Sequence, residues 1–186
     1  NAWRLDYILD RAERQGLYVQ LALTTFGHFR AETFEGDWPH SPYNRANGGL
    51  IDKPQEFWTN AQCQDLYQRM VRYVMARWGY SDHLAAWELS NEIDLVDGYK
   101  NLLPQIIEWH KRCAVTIGEF DPNRRLVTTN FANAGHQPEI LRLPEILYSS
   151  TNHYNTQIVK RMRDTIYPNK AQFGKPAIMR LTICVL

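Results

Sequence analysis

Ala85-Ala86-Trp87-Glu88-Leu89-Ser90-Asn91-Glu92 is the stretch whose reading decides the fold. Small and apolar residues come first, an amide and a carboxylate come last, and Ile93-Asp94 opens a loop. The pattern predicts a buried strand that ends in polar groups. If its neighbours run parallel, Asn91 and Glu92 emerge at the carboxyl edge of a sheet, where α/β folds place their chemistry. Glu88 precedes Glu92 by four residues and shares its strand parity, so it is expected to point inward as a buried, paired acid.

Outward from that strand, the chain alternates helix and strand. Leu5, Ile8, Leu9 and Ala12 recur at helical spacing, Gly16 supplies a stop, and Leu17 to Leu23 reads as a short strand. Thr24 to Pro54 is rich in Gly, Pro, Asn and aromatic residues and has no sustained period, as expected of a long functional loop. Thr59 and Gln62 fit a capping box, with Asn60 a competing cap. Leu66, Met70, Val71, Val74, Met75 and Trp78 then mark one helical face, which Gly79 ends. After the central strand, Leu102 to Ile117 is predicted as a helix stopped by Gly118, and Asp121-Pro122-Asn123 as a turn. Leu126 to Thr129 reads as a strand, Pro138 to Leu143 as a short helix, and Ile146 to Asn152 as a strand running into His153-Tyr154. Gln157 to Ile166 reads as a helix, Gly174-Lys175-Pro176 as a turn, and a last strand starts at Pro176. Such alternation gives a parallel sheet with right-handed crossover helices. It can close as an eight-stranded barrel or stay open and doubly wound. No strand is followed by a Gly-rich phosphate loop, which weighs against an open nucleotide-binding sheet.

The bulk numbers exclude more than they assign. The 21 basic and 20 acidic residues nearly cancel, leaving no field to draw in nucleic acid or an anionic membrane. No apolar run is long enough to span a bilayer. Cys63, Cys113 and Cys184 form no CxxC and read as buried thiols. The histidines show no metal-ligand spacing, so neither metal nor cofactor is expected. No signal peptide is visible, although the sequence opens on Asn1 rather than Met. The oligomeric state is not readable.

Glu92, at the end of an apolar strand, has the setting of a carboxylic acid that can be kept neutral and used to protonate a leaving oxygen. Asn91 beside it can hydrogen-bond a sugar hydroxyl. An Asn-Glu pair alone reads first as a turn and helix cap, but Trp-Glu-Leu-x-Asn-Glu is far more specific. It resembles the fourth strand of the barrel-type retaining glycoside hydrolases, the cellulase and β-mannanase group that includes family 5. The resemblance implies a (β/α)8, or TIM, barrel, an oligo- or polysaccharide substrate, a secreted or extracellular setting, Glu92 as general acid/base and Asn91 as a substrate-binding neighbour. Other stretches fall in matching order. Gly16 to Leu23 resembles the third strand, Arg72 to Gly79 the helix before the fourth, and Asn152-His153-Tyr154 the end of the sixth, where His153 and Tyr154 would line the site. His28 lies just beyond a strand's carboxyl end. Trp38, Tyr43 and Trp58 are either sugar-stacking surfaces or packing for the long loop.

Gly174 to Met179 resembles the seventh strand, after which the group carries its nucleophilic Glu. Here those positions hold Arg180 and Leu181, and no Asp or Glu follows Asp164. The resemblance therefore covers strands three to seven only, in a chain of 186 residues against about 250 for a whole barrel. The expectation is a single, incomplete glycoside-hydrolase-like domain over residues 1–186, a partial barrel of parallel strands with crossover helices, and a truncated or inactive copy of a retaining enzyme. The alternative is a non-catalytic carbohydrate-binding pseudoenzyme.

Overall fold

The computed structural model describes residues 2–31, 36–132, 138–153, 158–161, 163–164 and 167–181. Helix α1 (Ala2–Arg14) feeds strand β1 (Val19–Ala22), and α2 (Ala61–Trp78) precedes β2 (Leu84–Glu88). Next come α3 (Leu103–Phe120), β3 (Leu126–Thr128), β4 (Asn130–Phe131), α4 (Pro138–Leu141) and β5 (Ser149–His153), then α5 (Ile158–Arg161), α6 (Tyr167–Phe173) and β6 (Ala177–Leu181).

Every strand pairing is parallel, in the orders β1-β2-β3 and β4-β5-β6. The two sets meet through Thr129, because the chain keeps following β2: Leu89 N–H donates to Thr128 O at 2.8 Å and Asn130 N–H to Ser90 O at 2.9 Å. β3 and β4 are thus one strand with an irregular step. Each strand lies beside its predecessor in the chain, with none of the order reversal that marks a doubly wound open sheet. The architecture is the barrel alternative, a partial (β/α) barrel of parallel strands and crossover helices.

The helices bury one face each. α1 packs Leu9 and Ala12 inward and is tied to α2 by Asp6, which accepts from Trp78 Nε1 at 2.7 Å and Arg77 Nη2 at 2.6 Å. Gly16, at φ +65°, ends α1 as expected. In α2 the buried stripe is Cys63, Tyr67, Val71, Val74, Met75 and Trp78, whereas Leu66 is 44% exposed. The periodicity placed Leu66 on the inward face; Tyr67 occupies it, its hydroxyl reaching Leu89 O at 3.4 Å. Gly118 does not stop α3, which runs on to Phe120. A glycine ends a helix by turning left-handed, and Gly118 is not among the glycines of positive φ. Beneath the long loop, Phe29, Phe57, Trp58, Tyr67 and Trp109 form a run of tilted and edge-on ring contacts with centroids 4.5–6.0 Å apart. That cluster fixes the wall beside the strand ends. Cys63 and Cys113 are buried free thiols, as expected; Cys184 lies outside the described residues.

Asn60, not Thr59, caps α2: its side chain accepts from Cys63 N–H at 3.0 Å, while the Thr59 hydroxyl donates back to Glu56 O. Asn60→Ala is expected to cost about 1 kcal/mol, read as a lower denaturation midpoint at unchanged slope. Thr59→Ala should cost less.

Candidate functional site

The site is built on β2. Along this strand Trp87 turns to the helix layer, its Nε1–H donating to Asp121 Oδ2 at 2.9 Å. Glu88 turns to the other face, as its parity requires. It is fully buried and accepts a hydrogen bond from Gln20 Nε2, and the Tyr148 hydroxyl donates to Gln20 Oε1 at 2.7 Å. The expected buried, paired acid is therefore present, one layer below the strand ends.

β2 then runs past its regular portion. Asn91 N–H donates to Thr24 O at 2.9 Å, and Phe26 N–H to Asn91 O at 3.0 Å, so the end of β2 is held against the end of β1. Glu92 follows in a left-handed conformation, φ 50° and ψ 49°. A non-glycine residue pays strain for that backbone, and such residues cluster at functional sites. Glu92 is only 3% exposed.

Two amides, Asn130 and Asn152, bond to it, and a third, Asn91, joins them. Asn91 Nδ2 is 3.4 Å from Glu88 Oε1 and 3.3 Å from Asn130 Oδ1. Asn130, the first residue of β4, also accepts from Glu92 N–H at 3.3 Å and donates through Nδ2 to Ser150 Oγ and Asn152 Oδ1, each at 3.1 Å. Asn152, on β5, donates through Nδ2 to Glu92 Oε1 at 2.7 Å. Asn130, Ser150 and Asn152 are all at most 4% exposed. Chemically, this is a carboxyl group with a fixed hydrogen-bond donor at a strand end, next to a half-buried amide, above a second carboxylate. It can hold, give or take one proton.

Of the residues singled out in the sequence, Glu92 and Asn91 thus come together. His28 sits just past β1, with Nδ1 3.3 Å from the Thr24 hydroxyl and Nε2 3.9 Å from Asp37; burial pushes its basicity down and the Asp37 charge pulls it back. Trp38 is 6% exposed, so of its two readings burial supports loop packing. Trp58, at 2%, does the same. His153 closes β5, opposite Leu181 of β6; Tyr154 lies outside the described residues. Arg180, where the resemblance expects a nucleophile, pairs in register with Asn152. No group of three or more His, Cys, Asp or Glu able to hold a metal occurs among the described residues. None of the described helices is long and apolar enough to cross a membrane.

Asn130 and Asn152 were not singled out. Their signal was present but faint: Thr128-Thr129-Asn130 and Ser150-Thr151-Asn152 each put an Asn after two hydroxyl residues on neighbouring strands.

No family model matches the chain. It is 28% identical over 125 residues to mannan endo-1,4-beta-mannosidase F of Aspergillus fumigatus, covering 67% of this chain and 26% of that protein. Mannan endo-1,4-beta-mannosidase A of Podospora anserina is 34% identical over 89 residues, covering 48% and 21%. Among solved structures, the Bifidobacterium dentium beta-glucuronidase superposes on 93% of this chain and 25% of its own, with TM-score 0.53 and 13% identity. The beta-D-glucuronidase of Dictyoglomus thermophilum covers 63% and 20%, with TM-score 0.51 and 15% identity. The chain thus spans about a quarter of the length of the proteins it matches. In sequence it is similar to mannan endo-1,4-beta-mannosidases and in fold to barrel glycoside hydrolases, and the chain is accordingly a partial glycoside-hydrolase-like barrel.

Proposed function

We propose that Glu92 is the general acid/base of a β-glycan site of the retaining type, and that residues 1–186 act as one barrel-like unit. In that chemistry Glu92 protonates the departing glycosidic oxygen and later takes a proton from the attacking water. Asn91, half-buried beside it, holds a sugar hydroxyl. His28 and His153, at the same edge of the strands, are further sugar contacts, as is Tyr154; Trp38 supports the wall of the loop. The observation that carries the reading is Glu92 itself, held nearly buried at the end of β2 by Asn130 and Asn152. The mannanase names of the relatives favour a mannan-type or related β-1,4-linked polysaccharide as the ligand.

Double displacement needs a second carboxylate about 5 Å from the first. We infer that Arg180 and Leu181 stand in the sequence where the resemblance expects the nucleophile, and neither can form a glycosyl–enzyme bond. The chain on its own therefore binds glycan without turning it over, which is also what the pseudoenzyme reading requires. Purified chain mixed with manno- and cello-oligosaccharides is expected to release no reducing ends, while NMR signals of Asn91 and its neighbours shift on titration. Release that disappears in Glu92→Gln overturns the inactivity. No shift with any of these oligosaccharides overturns the site.

A further inference from the structure

Glu92, Asn130 and Asn152 come from three neighbouring strands and close a ring. Glu92 N–H donates to Asn130 Oδ1, Asn130 Nδ2 to Asn152 Oδ1, and Asn152 Nδ2 to Glu92 Oε1, at 3.3, 3.1 and 2.7 Å. The ring fixes both amides. Asn130 must turn its oxygen to the Glu92 N–H, which only donates. Its NH2 group then faces Asn152 and forces the Asn152 oxygen toward it. Asn152 can meet Glu92 only with its own NH2, which has no lone pair to offer. Asn130 is held further by Asn91 Nδ2, 3.3 Å away, and by Ser150 Oγ at 3.1 Å.

We propose that Asn130 and Asn152 are positioning residues that keep Glu92 Oε1 a permanent acceptor, so that the proton given to the leaving oxygen is carried on Oε2. The inference rests on the acid/base reading of Glu92 and deepens it. A hydroxyl on Oε1 would leave the Asn152 NH2 only the remaining lone pair of a hydroxyl oxygen, a poorer acceptor than a carbonyl oxygen. Protonation at Oε2 leaves the Asn152 bond intact, with a carbonyl oxygen in place of a carboxylate oxygen. The ring also explains the left-handed backbone of Glu92: the Asn130 oxygen captures the N–H that this conformation turns toward β4.

The test is NMR hydrogen exchange of the Asn152 side-chain NH2 in the 186-residue chain, its signals assigned by their absence in Asn152→Ala. In Glu92→Ala the NH2 is expected to exchange at least about tenfold faster, because its acceptor is gone. In Asn130→Ala, which frees the Asn152 amide to turn, a smaller increase is expected. Unchanged exchange in folded Glu92→Ala overturns the proposal. A second measurement uses Glu92→Gln, whose amide oxygen can stand where Oε1 stands, with its NH2 in the place of the protonated Oε2: the Asn152 NH2 should keep its protection. Protection lost as fully as in Glu92→Ala overturns it. Neither measurement uses hydrolysis or glycan binding, so failure of the glycan reading and failure of the ring are separately visible.

Discussion

Asp121→Ala is expected to destabilise the chain by about 3–5 kcal/mol, the usual loss when one partner of a buried ion pair is removed. Asp121 is 3% exposed and Arg125 9%. The carboxylate accepts from Arg125 Nη1 at 2.5 Å, Arg125 N–H at 2.8 Å, Trp87 Nε1 at 2.9 Å and Asn123 N–H at 3.2 Å. Arg125 in turn donates to the carbonyls of Leu84 at 2.7 Å, Gly79 at 2.9 Å and Ser81 at 2.5 Å. One buried pair therefore ties the end of α2, the start of β2, the end of α3 and the start of β3. Removing the carboxylate leaves a guanidinium without its counter-charge and an indole N–H without an acceptor. Against a total stability of about 5–15 kcal/mol, that is a large share. Chemical denaturation followed by Trp fluorescence measures it, since Trp87 is at the junction. Asp121→Asn keeps shape and one acceptor and should lose less. Asp121→Ala with Arg125→Leu should lose less than the two singles added, because no stranded charge remains. A loss under about 1 kcal/mol for Asp121→Ala would place the pair among those whose desolvation cancels their attraction.

This junction sits at the amino end of β2 and the Glu92 ring at the carboxyl end, and the two differed in how far they could be read from sequence. The order of elements was legible because α2 and α3 bury one face each, which writes a period of 3.6 into the chain, while β2, buried on both faces, shows as a short apolar run. Glu92 and Asn91 stood out through the Trp-Glu-Leu-x-Asn-Glu context, and their roles remain a proposal. Glu88 followed from parity alone. Asn130 and Asn152 were not legible as partners of Glu92, since their roles arise only where three strands meet in register. The errors were local and physical. Gly118 read as a stop because glycine permits a left-handed turn, yet α3 continues through it. Thr59 fitted a capping box because Gln62 stands three residues on, and of the two competing caps Asn60 takes the Cys63 N–H. Leu66 read as inward because apolarity was weighed above angle, and Tyr67 holds the place.

A second large effect is set by His110, directly behind the ring. His110 is fully buried on α3, and burial pushes its pKa down to about 4 although the Ile106 carbonyl opposes the shift. That carbonyl, 2.7 Å from Nδ1, only accepts, so the neutral ring carries its proton on Nδ1 and offers Nε2 to the Thr129 hydroxyl at 3.1 Å. Thr129 Oγ1 also lies 3.2 Å from Ser90 O. Thr129 is the step between β3 and β4 that turns Asn130 toward Glu92. In the unfolded chain a histidine titrates near 6.5. Above that pH both states are neutral here and the full contribution of His110 to stability is present. As the pH falls from about 6.5 toward about 4, the unfolded chain takes up a proton that the native state refuses, and stability is lost. The loss between pH 7 and pH 5 is expected to be about 2 kcal/mol, from 1.36 kcal/mol per unit. This window lies above the usual carboxylate range, so most acids do not add to it. His28, whose basicity is also lowered by burial, contributes in the same direction, and a variant separates the two. His110→Gln keeps a donor and an acceptor, so its denaturation midpoint should be nearly flat over the same interval apart from the His28 part. Parallel pH dependence in the two chains would mean that His110 is protonated in the native state. In that case His110 Nε2–H would donate to the Thr129 hydroxyl, which would donate in turn to Ser90 O, and the junction under Asn130 would be charged rather than neutral.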